Sequence, residues 1–173
     1  MFENAEISVD NLPRADVVDW QSLDPKFKRM HQILSLLFML PAAIPITLVT
    51  VLTEIPALGA AIMWANWVLI FVIWIIWPII AVPKRGYVVR TKDLLFKKGV
   101  VWRSVTAVPF NRIQHVETSH TPLDRKFGLA TLQLFTAGGT GGDLKIDGLP
   151  ADTAEQLRVF ILKKAGSSIE HAE

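Results

Sequence analysis

Histidine is the residue type here that could most readily bind a metal or move a proton, and the chain contains four: His31, His115, His120 and His171. His115 and His120 are five residues apart in a segment with strand character, which places their side chains on opposite faces. No carboxylate or further histidine stands at a metal-ligand spacing from either residue, and the chain has no cysteine. We therefore expect no metal site.

A glycine-rich stretch at residues 137–143 is the feature most similar to a phosphate-binding loop. A P-loop needs GxxxxGK, then Ser or Thr, then a helix whose N-terminus faces the phosphate. Here Asp143 and a segment with strand character follow the glycines. Ser104 and Ser119 lack the Gly-x-Ser-x-Gly elbow, and no two carboxylates have the spacing of a general acid and base. The sequence predicts no catalytic residue and no cofactor.

Basic side chains give the clearest remaining indication of binding. Two pairs stand out, one at the end of a predicted strand and one in a predicted loop: Lys97 and Lys98, and Arg125 and Lys126. Each cation near an anionic membrane surface contributes about 1 kcal/mol, so these four are the candidate contacts with a lipid headgroup or a protein partner. Two plainer explanations stay open. The cations could simply solubilise the surface, and Arg125 could pair within the domain with Asp124 or Glu117.

Two long apolar segments would hold these residues against a membrane. Residues 33–52 contain twenty residues without a charge, and residues 57–82 contain twenty-six. As helices they would be about 30 and 39 Å long, and the hydrocarbon core of a bilayer is about 30 Å thick. Residues 53–56 form a short link, so we predict a transmembrane helical hairpin over 33–82. Buried helices of a soluble core are the alternative, but such helices keep a polar face.

The distribution of charge orients this hairpin. Of the 18 Lys or Arg and the 16 Asp or Glu, only Glu54 lies within residues 33–82. Basic residues flank both outer ends of the hairpin, and its turn has none: Lys26, Lys28 and Arg29 precede it, and Lys84, Arg85 and Arg90 follow it. The positive-inside rule therefore predicts that both termini are cytoplasmic.

The predicted spans contain few polar groups, which limits what they can do. No charged residue lies in mid-membrane, and ion pathways and proton relays usually need one. Asn66 is the strongly polar side chain of the second span, and it could hydrogen-bond either to the first helix or to the helix of a partner. We therefore expect an anchor rather than a transporter.

Short β segments and one helix follow the hairpin and predict a small α+β domain over residues 83–166. Alternating or β-branched residues between turn signals predict strands at 87–91, 94–98, 100–108, 113–120, 129–137 and 143–149. Loops are expected at 121–128 and 138–142. The helix is expected to begin with Asp152 as its N-cap and to end at Gly166. Residues 1–32 are expected as a cytoplasmic N-terminal segment and residues 167–173 as a tail.

Three motifs of this domain are similar to those of a known family. They are RIQHVE at 112–117, PLDRKFGLATL at 122–132 and TAGG at 136–139. With the hairpin ahead of them, they resemble the bacterial pleckstrin-homology-like (PH) domain of YdbS-type membrane proteins over roughly residues 25–165. The resemblance implies a seven-strand split β-barrel capped by the C-terminal helix, in a multi-pass protein of the bacterial cytoplasmic membrane. Six strands are evident, and the seventh is expected from a bend within residues 100–108.

The resemblance supplies no catalytic activity and no ligand. YdbS-type proteins often accompany a larger relative that carries several such domains, which implies a protein partner; a second copy of this chain is also left open. One hypothesis is a non-enzymatic, membrane-anchored module that scaffolds or recruits a partner. The alternative is a reader of anionic-lipid headgroups that docks on the inner leaflet through its basic loops, and an enzyme with an unrecognised site comes third. The net charge of residues 83–173, fourteen Lys or Arg against nine Asp or Glu, is too diffuse to predict nucleic-acid binding.

Overall fold

Two apolar helices come early in the chain, and two antiparallel sheets with a C-terminal helix follow them. A computed structural model describes residues 18–137 and 144–170, with side chains as far as 166. In chain order the elements are β1 (Gln21–Ser22), α1 (Pro25–Leu52), α2 (Ala57–Ala81), β2 (Gly86–Val89), β3 (Asp93–Lys98), β4 (Ser104–Pro109), β5 (Ile113–Ser119), α3 (Pro122–Phe127), β6 (Leu129–Thr136), β7 (Leu144–Pro150) and α4 (Ala151–Glu170). The predicted glycine loop at 138–142 lies outside the described residues.

The helices α1 and α2 pack as a hairpin whose outer surfaces stay uncovered. Their most apolar 18-residue windows have mean hydropathies of 2.2 and 2.3, yet only 6% and 17% of these windows is buried. Helices of a soluble core would be mostly covered, so this exposure favours helices that face lipid. The Ser35 hydroxyl links the pair by donating to the Trp74 carbonyl at 3.3 Å. α1 begins ahead of the predicted span because the Asp24 side chain caps it, accepting a hydrogen bond from the Lys26 N–H.

The strands form two antiparallel sheets, in the order β1-β2-β3-β4 and β5-β6-β7. Side chains from both sheets and from α4 fill one core, and the largest that are fully buried are Leu94, Leu129, Leu132, Leu134, Ile146, Leu149 and Ile161. Phe160 of α4 also meets Phe110 edge to face, with ring centroids 6.0 Å apart. The predicted fold class is confirmed. Within the described residues the two sheets do not close into a continuous barrel.

The loop predicted at residues 121–128 is wrong, because most of it is the helix α3. Thr121 caps this helix in a capping box with Asp124: the Thr121 hydroxyl accepts a hydrogen bond from the Asp124 N–H, and the Asp124 carboxylate accepts one from the Thr121 N–H. Gly128 ends the helix in the left-handed conformation, at φ 67°. Two strong end signals thus make a helix of only six residues.

Three predicted boundaries are also wrong. The strand expected from residue 100 begins at Ser104, because the chain turns at Gly99, where φ is 107°. The C-terminal helix begins at Ala151, so Asp152 lies in its first turn and does not cap it. The same helix continues to Glu170, past its predicted end.

The seventh strand comes from residues ahead of the membrane hairpin, and not from a bend within residues 100–108. In the ladder between β1 and β2, Gln21 lies opposite Tyr87 and Ser22 opposite Gly86. Hydrogen bonding therefore joins the residues just before α1 to those just after α2. Both outer ends of the hairpin consequently lie on the same side.

Phe27 holds the first turn of α1 against β7. A Cβ built on Gly148 would lie 2.3 Å from the Phe27 ring, and Gly148 has φ 75°, so both the space and the backbone require glycine. The Asp24 N–H donates to the Gly148 carbonyl at 3.1 Å. Leu23 and Met30 are buried in the same core as the strands. These contacts make the start of α1 part of the packing of the β domain; the predicted domain limits at residues 32, 82 and 166 stay predictions.

Candidate functional site

The hairpin of β3 and β4 points toward the end of the apolar helix α2. β2 starts at Gly86, shortly after α2 ends, and runs away from it, while β3 returns antiparallel and brings Lys97 opposite Gly86. The chain then turns through residues 99–103, here called the hairpin tip, and β4 leaves with Ser104 opposite Lys98. The hairpin tip therefore lies beside the exit of α2.

The hairpin tip presents apolar side chains outward. Val101 is 70% exposed and Trp102 is 88% exposed, the highest fraction among the large hydrophobic side chains that the structure describes. Gly99 fixes this turn, because a Cβ there would lie 1.8 Å from the Trp102 carbonyl oxygen. Tryptophan is enriched at membrane–water interfaces, where its ring lies among the lipid headgroups. Such a tip suits contact with a membrane surface.

A cavity of about 380 Å³ lies next to the hairpin tip, and four cationic side chains line it: Lys84, Lys97, Lys98 and Arg103. None of the four has an ion-pair partner within residues 18–137 and 144–166. The Lys97 ammonium lies over the ring of Trp20, 4.5 Å from its centroid. The concentration of positive charge makes this cationic cavity suited to an anion such as a phosphate group.

Several cations elsewhere in the β domain are already paired. The pairs are Arg90 with Asp93, Arg158 with Glu155, and both Arg85 and Lys145 with Asp147. The hydrogen bond from Arg158 lowers the pKa of Glu155, and the hydrogen bond to Asp93 raises the pKa of Arg90. Exposed pairs of this kind add little stability. They do occupy these cations, whereas the four cations of the cationic cavity have no ion pair within the described residues.

The two pairs of candidate residues from the sequence are not brought together. Lys97 and Lys98 line the cationic cavity, whereas Arg125 and Lys126 are exposed on α3, which packs against α1. The alternative pairing of Arg125 with Asp124 or Glu117 is absent from the described part of the chain. Asp124 is buried and serves the capping box instead.

Sequence reasoning missed Arg103 and Trp102 as members of the site. Residues 100–108 have the β-branched composition of a strand, and that pattern concealed a turn beside the exit of α2. The one available signal was Gly99, since a glycine after a strand often marks a turn.

Packing and backbone contacts hold the two histidines of the β domain. The His115 ring lies 5.6 Å from the Phe135 ring, and His120 Nδ1 is 2.9 Å from the Leu129 carbonyl oxygen. His171 lies outside the described residues. Among the residues that were searched, no group of three or more His, Cys, Asp or Glu could hold a metal ion.

Comparison with known proteins gives two matches. The family model for the bacterial PH domain matches residues 35–165, which include most of the helical hairpin, the cationic cavity and much of α4. A curated relative, UPF0699 transmembrane protein YdbS of Bacillus subtilis (strain 168), is 30% identical over 112 residues, covering 59% of this chain and 69% of the relative. No solved structure matches the chain.

Proposed function

Because the chain belongs to the bacterial PH domain family, we propose that it is a non-enzymatic, membrane-anchored interaction module whose β domain docks on an anionic membrane surface. One observation carries the docking: four cations that have no ion-pair partner among the described residues line a cavity beside the exposed Trp102, next to the exit of α2. Its relative is named a transmembrane protein, which agrees with a permanent anchor.

Charge and apolar contact act together in this docking. Each cation near an anionic leaflet contributes about 1 kcal/mol, and this attraction falls away within a Debye length of about 10 Å. Val101 and Trp102 add apolar contact at the boundary between headgroups and acyl chains. Because the helical hairpin already anchors the chain, docking sets the orientation of the β domain rather than its attachment.

A protein partner is the second candidate for what the module binds, and the outer surface of α4 favours it. Val159 is 55% exposed, and Phe160 and Leu162 are also exposed. Exposed apolar side chains clustered on one helix are typical of protein contacts. Arg125 and Lys126 on α3 are candidate contacts with such a protein partner, since an arginine can pair bidentately with a partner carboxylate. Docking on lipid leaves α4 available for such a partner.

Docking on the inner leaflet requires that both termini of the chain are cytoplasmic. A reporter that is active only outside the cytoplasm is expected to work when inserted at Glu54 and to fail when fused after Glu173. The reasons are the basic residues at both outer ends of the hairpin and the pairing of β1 with β2, which keeps those ends together. The opposite pattern would place the β domain outside the cytoplasm and exclude docking on the inner leaflet.

The docking also predicts a response to charge removal. The chain has no cysteine, so Val101→Cys provides one labelling site at the hairpin tip. In lipid nanodiscs, a polarity-sensitive dye at this site is expected to report an apolar environment with anionic lipid, and much less with zwitterionic lipid or high salt. Adding Lys97→Gln and Lys98→Gln removes about 2 kcal/mol of electrostatic attraction to the anionic leaflet. The ratio of docked to free β domain should therefore shift about thirtyfold toward the free form.

A matched control removes the other pair of cations. Arg125→Gln with Lys126→Gln takes away the same charge from α3, outside the cationic cavity, and should leave the dye signal nearly unchanged. Equal effects of the two double variants would mean that net charge alone drives the contact. A signal from the unmodified tip that ignores both lipid charge and salt would contradict the docking.

A further inference from the structure

One polar side chain of the helical hairpin, Asn66, has no partner among the residues that the structure describes. It follows Ala57, the first residue of α2, by nine residues, which places it about 13 Å along a helix that spans a hydrocarbon core of about 30 Å. Its side chain is exposed, and no hydrogen bond joins it to another residue that the structure describes. A bond from Asn66 to α1, one of the two possibilities considered from the sequence, is therefore not made.

The surroundings of Asn66 form a groove across both helices. Its volume is about 410 Å³, and it is lined by Ile46, Ile62, Met63, Asn66, Trp67 and Ile70. The Trp67 Nε1–H is buried and has no acceptor among the described residues, so a second polar group of the groove also lacks a partner. Ala65, which precedes Asn66 in the chain, is exposed, and a side chain this small lets a neighbouring helix come close.

The lipid around Asn66 makes an unpaired carboxamide costly. A hydrocarbon core holds no water, so polar groups must be satisfied by protein. The carboxamide both donates and accepts hydrogen bonds, and two such groups can satisfy each other. The missing partner must therefore offer a polar group at this depth in the membrane.

We propose that two copies of this chain associate in the membrane through α2, with the Asn66 side chains hydrogen-bonded across a two-fold axis. A second copy enters the membrane in the same orientation and so places its own Asn66 at the same depth without any further requirement. A two-fold contact uses the same surface on both chains, and a group that donates and accepts is self-complementary there. This association is independent of the docking of the β domain.

Cysteine crosslinking in native membranes tests this association on the full chain. Because the chain has no cysteine, Ile62→Cys introduces a single thiol one turn from Asn66 and leaves Asn66 in place. Oxidation is expected to produce a disulfide-linked dimer. The control is Val68→Cys, also exposed but about 200° around the helix from Asn66, which is expected to crosslink little.

Substitution of Asn66 then tests the hydrogen bond itself. Asn66→Leu in the Ile62→Cys background is expected to weaken association about tenfold, and Asn66→Gln to preserve most of it. Leucine is more favourable than asparagine in lipid, so a loss of crosslinking would not reflect failed insertion. The proposal is overturned if Ile62→Cys crosslinks no better than Val68→Cys, if it joins only a different protein, or if Asn66→Leu leaves the dimer unchanged.

Discussion

Replacing Phe27 with alanine is expected to lower the free energy of unfolding by about 3–5 kcal/mol. The Phe27 side chain is 4% exposed, and it fills the space that the missing side chain of Gly148 leaves. Its loss leaves a cavity between α1 and β7, so the damage should reach the β domain although Phe27 belongs to the helical hairpin. Chemical unfolding of the detergent-solubilised chain would measure it.

A control on the same helix separates this packing from a general effect of α1. Leu37 is 60% exposed, and Leu37→Ala is expected to change the free energy of unfolding little. Gly148→Ala should be strongly destabilising, because its new Cβ meets the Phe27 ring. Phe27→Ala together with Gly148→Ala should cost less than the sum of the single changes, since the first makes room for the second. Strict additivity would contradict the contact.

Introducing a charge at Leu132 is expected to unfold the β domain. Leu132 is completely buried in β6, and an aspartate there would be an unpaired charge in an apolar core. We expect Leu132→Asp to cost more than about 4 kcal/mol, a large share of the roughly 5–15 kcal/mol that stabilises a typical domain. Protease resistance of the domain in membranes would fall accordingly.

The matched control for Leu132 introduces the same charge on an exposed strand position. Gln114 is exposed on β5, and Gln114→Asp keeps the aspartate in water. It should leave protease resistance close to that of the unmodified chain. If both variants are digested equally fast, Leu132 does not face the core.

Much of the fold could be predicted from the sequence because its largest elements have long, regular patterns. Twenty or more residues without a charge define each membrane helix, and the alternation in residues 129–137 indicates β6 with its buried Leu132 and Leu134. Short elements carry no such pattern. A strand of two residues, Gln21–Ser22, has no period to detect, and only tertiary pairing creates it.

The helix α3 is a different case, because its signals are present in the sequence. Thr121, Asp124 three residues later and Gly128 at the end are the residues that a short capped helix needs. The stretch is too short to show helical periodicity, and its turn-forming residues therefore led to the prediction of a loop. Local end signals deserve more weight than periodicity in segments of this length.

The candidate site could be predicted only in part, because its members meet through strand register. Lys97 and Lys98 were evident as a pair of cations, but Lys84 and Arg103 join them only when β3 pairs with β2 and β4. The exposure of Trp102 was also unpredictable from composition, since apolar β-branched neighbours usually indicate burial.

The pairing of Gln21 with Tyr87 imposes an order on the biogenesis of the chain. Gln21 leaves the ribosome 66 residues before Tyr87 (87 − 21), a delay of about 3–13 s at ordinary rates of translation. Both helices must be inserted before β1 and β2 can pair, and until then Phe27 lacks the β7 contacts that bury it. A chain with only one helix inserted would hold β1 and β2 on opposite sides of the membrane. A chain that fails to complete the sheet would leave Phe27 and its core neighbours exposed, and we expect such chains to be captured by chaperones and proteases.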